Sequence, residues 1–435
     1  MPVRAALPDA AAAARHVAGE RSRALADRFY QHVFPNGLVL LAERMPAMRS
    51  AAMTLLVPAG TSNDPADAGG AGSVLSDLVL RGAGKLDSRA LTNHLDRLGL
   101  QRSSSTGIYN TRFACAALAD KVMAGLPNYA DIVCRPHLPA DGFEAAVDLS
   151  LQAIEGIDDD PRHKLMIKLR ERHFPYPFGR SSMGDKAQLE AWTLEGAKRD
   201  HAHRYHPRGA ILSVAGNVHF DHLKRDVEKH FGAWDGSEPT PPAMVPAPGG
   251  TFHEDQQSEQ THIGIAWASV LETHPDYYAA RLAVEVLSGG MSGRLFTEVR
   301  EKRGLVYSVS AGYSSLRDVG AILGYAGTSN DRAQATLDTM VAEFHRMTDG
   351  VTAAELQRAK TGLKAATVMQ GESTSARAGA IAHDYFIRGR IRTLEEITGA
   401  IDAVTVDHVN AYLKANPPGP FTVVTVGPKP LVVPA

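Results

Sequence analysis

Ser73, Ser76 and Asp77 stand at spacing i, i+3, i+4 within GAGSVLSDLVLRGAG, residues 70–84. On a helix they share one side, opposite an apolar face of Val74, Leu75, Leu78 and Val79. The geometry suits a site, but the chemistry is poor. Serine is not a usual zinc ligand, and one aspartate does not hold a metal alone. Read from these residues alone, the triplet is the solvated face of an amphipathic helix. A second stretch, LSGGMSGRLFTEVREKRGLVYSVSAGYSS (287–315), joins a cation to a phenol. Gly289 and Gly290 permit a close backbone approach. Arg300 is expected on a helix and Tyr307 on the following strand, with Gly304 as a left-handed cap between them. A guanidinium and a phenol seven residues apart are able to converge on one oxyanion. Taken alone, an exposed Arg and a strand Tyr are also commonplace. The tight histidine cluster, His201, His203 and His206, lacks clean ligand spacing. It reads as solvated histidines ahead of a strand. No GxGxxG, GxSxG, HExxH or HxxEH occurs. Gly84-Lys85 is not a P-loop, because Val79 and Leu86 occupy positions that need Gly and Ser/Thr.

The elements that must carry these residues fall into two runs. Residues 235–250, DGSEPTPPAMVPAPGG, hold neither a helix nor a central strand and read as a linker. Before it, HVFPNGLVLLAERM is a hairpin around Asn36-Gly37. RSAAMTLLV is a strand, helices follow at about 66–81, 87–98, 121–134 and 141–157, LQRSSSTGIYN and TRFACAALA pair, and GAILSVAGNV is a short buried strand. After the linker the order repeats, from THIGIAWASV through a helix, the pair LVYSVSAGYSS and AILGYAGTS, and two helices to FTVVTVG. The expected fold is therefore α+β: two related halves, each a mostly antiparallel sheet covered by helices on one face. The expected domains are an extension at 1–30, halves at 31–234 and 251–435, and the linker between them.

With 46 Lys+Arg against 48 Asp+Glu over 435 residues, the chain has a formal net charge of -2, which excludes a strongly basic nucleic-acid binder. Two cysteines, Cys115 and Cys134, exclude a disulfide framework and a CxxC zinc site. The N-terminus lacks an unbroken apolar signal core, and no apolar run reaches the ~18 residues of a membrane span. Neither nucleic acid nor membrane is expected as a partner. The expected compartment is the cytoplasm, or the periplasm for a form from which a signal has been removed.

FPNGLVLLAE, PAGTSND, HFPYPFGRSSMG, YHPRGAILSVAGNV and, above all, GGMSGRLFTEVREKRGLVYSV resemble, in order and spacing, the pitrilysin/insulysin-type zinc peptidases. The resemblance is closest to the two-subunit, mitochondrial-processing-peptidase-like branch of these inverzincins. It implies a pair of α+β halves and a dimer enclosing a peptide. The family's HxxEH falls at 73–77, where Ser73 and Asp77 replace the metal histidines and Ser76 the catalytic glutamate. The downstream glutamate ligand falls near Gln152-Ala153, with Glu155 close by. Arg300 and Tyr307 match the family's substrate-binding pair, with Gly289 and Gly290 beside the substrate. The resemblance thus implies an inactive subunit of a heterodimer or of a higher assembly. A homologous HxxEH-bearing partner would hold zinc, and this chain would hold no cofactor and supply Arg300 and Tyr307 in trans. Two other readings stand beside it: a non-enzymatic homodimer acting as a structural or peptide-binding protein, and a hydrolase using Ser73 or Ser76.

Overall fold

The computed structural model describes residues 28–236 and 242–434. The first half runs β1 (Phe29–Val33), β2 (Val39–Arg44), β3 (Ser50–Val57), α1 (Ala71–Leu78), β4 (Gly82–Ala83), β5 (Leu86–Asp87), α2 (Ser88–Arg97), β6 (Gln101–Thr106), β7 (Thr111–Leu118), α3 (Ala119–Cys134), α4 (Ala140–Glu155), α5 (Pro161–His173), α6 (Lys186–Ala191), α7 (Leu194–Arg204), β8 (Ile211–Gly216) and α8 (Phe220–Phe231). The second runs β9 (Thr251–Asp255), β10 (Gln260–Ser269), α9 (Tyr277–Ser288), a π-helical turn (Phe296–Glu301), β11 (Ser308–Ser315), β12 (Gly320–Ser329), α10 (Ala333–Arg346), α11 (Ala353–Gly371), α12 (Thr374–Arg388), α13 (Leu394–Ala403), α14 (Val406–Ala415) and β13 (Thr422–Gly427). The extension expected at 1–30 lies outside the described residues up to 27, and β1 already begins at Phe29. The described part of the linker holds no helix or strand, only an isolated bridge from Val245 to Tyr176.

The six-stranded sheet has the order β1-β2-β8-β3-β7-β6 and the five-stranded sheet β11-β12-β10-β13-β9. All pairs are antiparallel except β2 with β8 and β13 with β9. The β1–β2 hairpin closes as Asn36-Gly37 predicts: Gly37 takes φ 93, which glycine adopts without a Cβ penalty. One face of each sheet packs on helices of its own half, α1–α4 and α8 in the first and α9, α10, α11 and α14 in the second.

The opposite faces are covered as well, by one helix each, and the two helices are exchanged. Helix α5 lies in the sequence of the first half, yet its Leu165 and Leu169 pack against Ala266, Val424 and Val426 of the second sheet. Helix α12 returns the exchange, burying Ala378, Ile381 and Ala382 on the first sheet. Thus β8 and β13 are buried at every position, which is why ILSVAG and TVVTVG show no polar alternation. The expectation of helices on one face gains this second layer.

The exchange rests on close contacts. A Cβ at Gly264 would stand 3.2 Å from Leu169 and 3.3 Å from Leu165, so glycine there lets α5 settle onto the sheet. Gly264→Leu is expected to overpack this layer and cost about 1–3 kcal/mol. Because each half supplies a helix to the other, urea unfolding followed by tryptophan fluorescence and by circular dichroism should show one shifted transition. Two separate transitions would show that the halves unfold independently.

Helix α12 is tied at both ends. Toward the first half, Arg377 Nε donates to the buried Glu43 at 2.7 Å and Ser213 Oγ donates to the Ala378 carbonyl at 2.6 Å. Toward the second half, His383 Nε2 donates to Glu272 Oε2 at 3.2 Å, and Arg388 donates to the Glu272 carbonyl. The hydrogen bond to Glu272 raises the His383 pKa above the usual histidine value. Its stabilisation is therefore fully present below about pH 6.5 and fades as pH rises through the raised value. The His383 side chain is half-exposed, so the effect is small. His383→Gln is expected to flatten the fall in denaturation free energy as pH rises above about 6.5. An unchanged slope would rule the pair out as its source.

Candidate functional site

Helix α1 is held from its first turn. Gly70 takes φ 95, and the buried Asp64 carboxylate accepts from Gly70 N at 2.9 Å and Gly72 N at 2.8 Å. Asp64 is in turn held by Arg204, whose Nη1 donates to it at 2.8 Å and whose Nη2 donates to Asp200. Arg204 is fully buried. Arg180 adds a bond to the Asp64 carbonyl at 2.6 Å. Val74, Leu75, Leu78 and Val79 are fully buried, as their spacing predicts.

The polar triplet on this helix is only in part the solvated face expected: Asp77 keeps a 42% exposed side chain, and the two serines are turned inward. Ser76 is buried, and its Oγ donates to the Ser73 carbonyl at 2.8 Å. Ser73 Oγ donates to the Ser182 carbonyl at 2.6 Å. Asp77 accepts from Arg81 Nε at 2.5 Å, one turn on along the chain. The cause is α1's position between α4 and the edge strand β6, which leaves little of its circumference to water. Glu155, at the end of α4, is exposed and paired with Lys186 at 2.7 Å. Among the described residues, no group of three or more His, Cys, Asp or Glu side chains is placed to hold a metal ion. The donor set on α1 does not fit zinc: two hydroxyls and one carboxylate, each already engaged, offer no imidazole and no general base.

The histidine cluster also differs from its expectation. His206 is fully buried, and His201 is packed on Tyr205 with ring centroids 4.5 Å apart. Burial pushes the His201 pKa down to about 4. Only His203 of the three is exposed. HAHRYH is thus the end of α7 and the housing of Arg204, the residue that fixes the start of α1. Its one sequence signal was an arginine between histidines, which does not distinguish a buried cation from a surface one.

The Arg/Tyr pair lies at the entry to the other sheet's edge strand. Helix α9 ends at Ser288, and the exposed Gly289 and Gly290 follow, Gly290 with φ 94. Arg294 pins this loop to the start of α11, donating to Glu355 at 2.8 and 3.0 Å and to the Gly350 carbonyl at 2.8 Å. The Arg294 hydrogen bond, with help from Thr352, holds the Glu355 carboxyl down to about 2. The periodicity of the sequence did not single out Arg294, because an interior ion pair resembles any surface charge in a string of residues. Arg300 sits in the π-helical turn, over the Phe296 ring at 5.1 Å. A π-turn re-phases the residues that follow it, so the side-chain directions here are not those of the expected regular helix. Gly304 at φ 59 closes the segment, with Gly304 N bonded to the Arg300 carbonyl and Leu305 N to the Val299 carbonyl, both at 3.0 Å. Tyr307 stands immediately before β11, its N donating to the Gly327 carbonyl at 3.0 Å, and is 65% exposed. Among the described residues, neither the Arg300 guanidinium nor the Tyr307 hydroxyl has a hydrogen-bond or ion-pair partner.

Two edges are open to an extended chain. β6 borders α1 and is exposed over Gln101–Ser105, while β11 begins beside Tyr307. The structure thus offers one strand edge, β11, directly after the segment that carries Arg300 and Tyr307.

Two family descriptions match the chain: Insulinase (Peptidase family M16) over residues 39–186 and Peptidase M16 inactive domain over residues 191–363. An uncharacterized zinc protease of Mycobacterium tuberculosis is 28% identical over 411 residues, 92% of this chain and 93% of the relative. One from Bacillus subtilis is 26% identical over 391 residues, 87% and 93% of the two chains. Among solved structures, a peptidase M16 inactive domain from Pseudomonas fluorescens aligns with a TM-score of 0.85 at 23% identity, covering 93% of this chain and all of the other. A protease from Helicobacter pylori aligns at 0.86 and 21% identity with the same coverage.

Proposed function

This chain belongs to the M16 peptidase family, the pitrilysin/insulinase-type zinc proteases, and within that family we propose that it is the non-catalytic subunit of a heterodimeric zinc endopeptidase. It forms half of a peptide chamber and presents Arg300 and Tyr307 to the reacting carbonyl in trans. One contrast carries this reading. Each side chain at the HxxEH positions is engaged within the fold, through Ser182, Ser73 and Arg81, whereas Arg300 and Tyr307 are exposed and, among the described residues, have no side-chain hydrogen bond or ion pair. Water activation is left to a homologous HxxEH-bearing partner, the subunit expected to hold zinc. A peptide would extend a sheet at an open edge such as β6, whose backbone supplies hydrogen bonds independent of sequence. An arginine and a phenol then stabilise the negative charge developing on the scissile carbonyl oxygen.

Reconstitution tests this. This chain and an HxxEH-bearing homologue from the same genome are purified separately and mixed, and hydrolysis of a fluorogenic peptide is measured. Little activity from either alone and strong zinc-dependent activity from the mixture supports the reading. Full activity of the homologue by itself overturns it. A stable self-dimer that binds peptide and copurifies with no zinc-bearing subunit favours the homodimeric peptide-binding role instead.

A further inference from the structure

Between the two halves, beside α12, lies an open cleft of about 290 Å³. The turn joining β6 to β7 and the turn joining β11 to β12 meet there, where Tyr109 donates to Asp318 at 3.0 Å. Three cationic groups line the cleft: Arg112 from β7, Arg317 from the second half, and His383 from α12. No Asp or Glu is among its lining residues. Its apolar walls include Leu56, Ile108, Leu316 and Ile387.

The three cations differ in how far they are already committed. His383 faces Glu272, and the hydrogen bond between them favours its protonated form. Arg317 lies across the rings of Tyr109 and Phe386, at 5.4 and 5.5 Å, with Asp318 at 3.5 Å. Arg112 is half-buried and has no ion pair or side-chain hydrogen bond among the described residues. On α12, a Cβ built at Gly379 would stand 3.9 Å from its guanidinium. A half-buried guanidinium left without an anion calls for a counter-charge that the described residues do not supply. The volume lies at the low end of small-molecule pockets, roughly 300 Å³ and upward.

We propose that this cleft binds the C-terminal residue of a peptide, its carboxylate on Arg112 and its apolar side chain against Leu56 and Ile387. The inference rests on the peptide-chamber reading for the identity of the ligand, but not for the existence of the site. It assigns the chain a preference for peptides with a free, apolar C-terminus, held where both halves contribute contacts. A ligand bound there favours one relative placement of the halves, through its differential contacts with each.

The test uses the full chain without any partner subunit, so its outcome is independent of peptidase reconstitution. Fluorescein-labelled Gly-Ala-Gly-Ala-Leu is titrated by anisotropy near pH 6.5, as the free acid and as the C-terminal amide. The acid is expected to bind at least about tenfold more tightly than the amide, as charge-assisted bidentate bonding requires. Arg112→Gln should remove that difference and Arg112→Lys should restore part of it, with thermal melts confirming that both variants fold. Equal affinity for acid and amide, no binding of either at millimolar peptide, or an Arg112→Gln variant that still discriminates would overturn the proposal. Octanoate is the third arm. Displacement of the labelled acid by octanoate at comparable concentration, with an unlabelled Leu-terminated peptide failing to displace, would assign the cleft to free fatty carboxylates and likewise overturn it.

Discussion

Arg300→Ala in this chain is expected to lower kcat/KM of the reconstituted heterodimer by about 10²- to 10³-fold, the usual loss when one preorganised oxyanion donor is removed. Tyr307→Phe, which deletes only the hydroxyl, should fall in the same direction. The loss should appear mainly in kcat, because donors aimed at developing charge act in the transition state more than in the ground state. Neither variant should change the melting of the isolated chain appreciably, since both side chains are exposed and, among the described residues, hold no hydrogen bond or ion pair. That separation matters: a drop in activity with unchanged stability and unchanged subunit association assigns the effect to chemistry in trans. Wild-type activity in both variants would remove the Arg/Tyr pair from the mechanism and leave this chain as scaffold.

Arg204→Met is expected to cost about 3–5 kcal/mol of folding stability, the scale of breaking a buried ion pair by removing one partner. Arg204 is fully buried between Asp64 and Asp200. Burial pushes the Asp200 carboxyl up and Arg204 opposes that push, so without the cation two carboxylates remain in the interior uncompensated. The damage should reach α1, because the same Asp64 carboxylate caps Gly70 and Gly72. Urea denaturation measures the first effect and amide hydrogen exchange over residues 70–78 the second. A triple variant, D64N/D200N/R204M, should recover part of the loss, because it removes the uncompensated charges along with the cation. A single Arg204→Met variant within about 1 kcal/mol of wild type would show that the network is not what holds the helix.

Some elements were legible because their signals are local. Asn36-Gly37 between apolar runs is a hairpin wherever it occurs, and Gly304 ends its helical segment because only a residue without Cβ takes φ 59 freely. The run at 211–216 already read as a buried strand and that at 422–427 as a strand. What they did not disclose was the identity of the second layer. Helix α5, PRHKLMIKLRERH, buries only Leu165 and Leu169 completely, a narrow stripe in a charge-rich segment. Its partner surface belongs to the other half of the chain, so no periodicity within the helix points to it. The same holds for α12, whose contacts span both halves.

The candidate sites divide along the same line. That the family's metal-histidine positions read Ser73 and Asp77, that its catalytic-glutamate position reads Ser76, and that Arg300 and Tyr307 match its substrate-binding pair are matters of residue identity, which the resemblance supplies from the sequence. Whether those residues are free is a matter of neighbours distant in the chain. Ser73 is occupied by a carbonyl over a hundred positions away, and α1 is anchored by Arg204 from a cluster that reads like surface histidines. The cleft cations at 112, 317 and 383 come from three segments that nothing in the sequence connects. Residue types and short-range spacing determine what chemistry the chain has kept or lost. Only the packed tertiary structure, through the exchanged helices, decides which of those groups are spent on the fold and which still face a ligand.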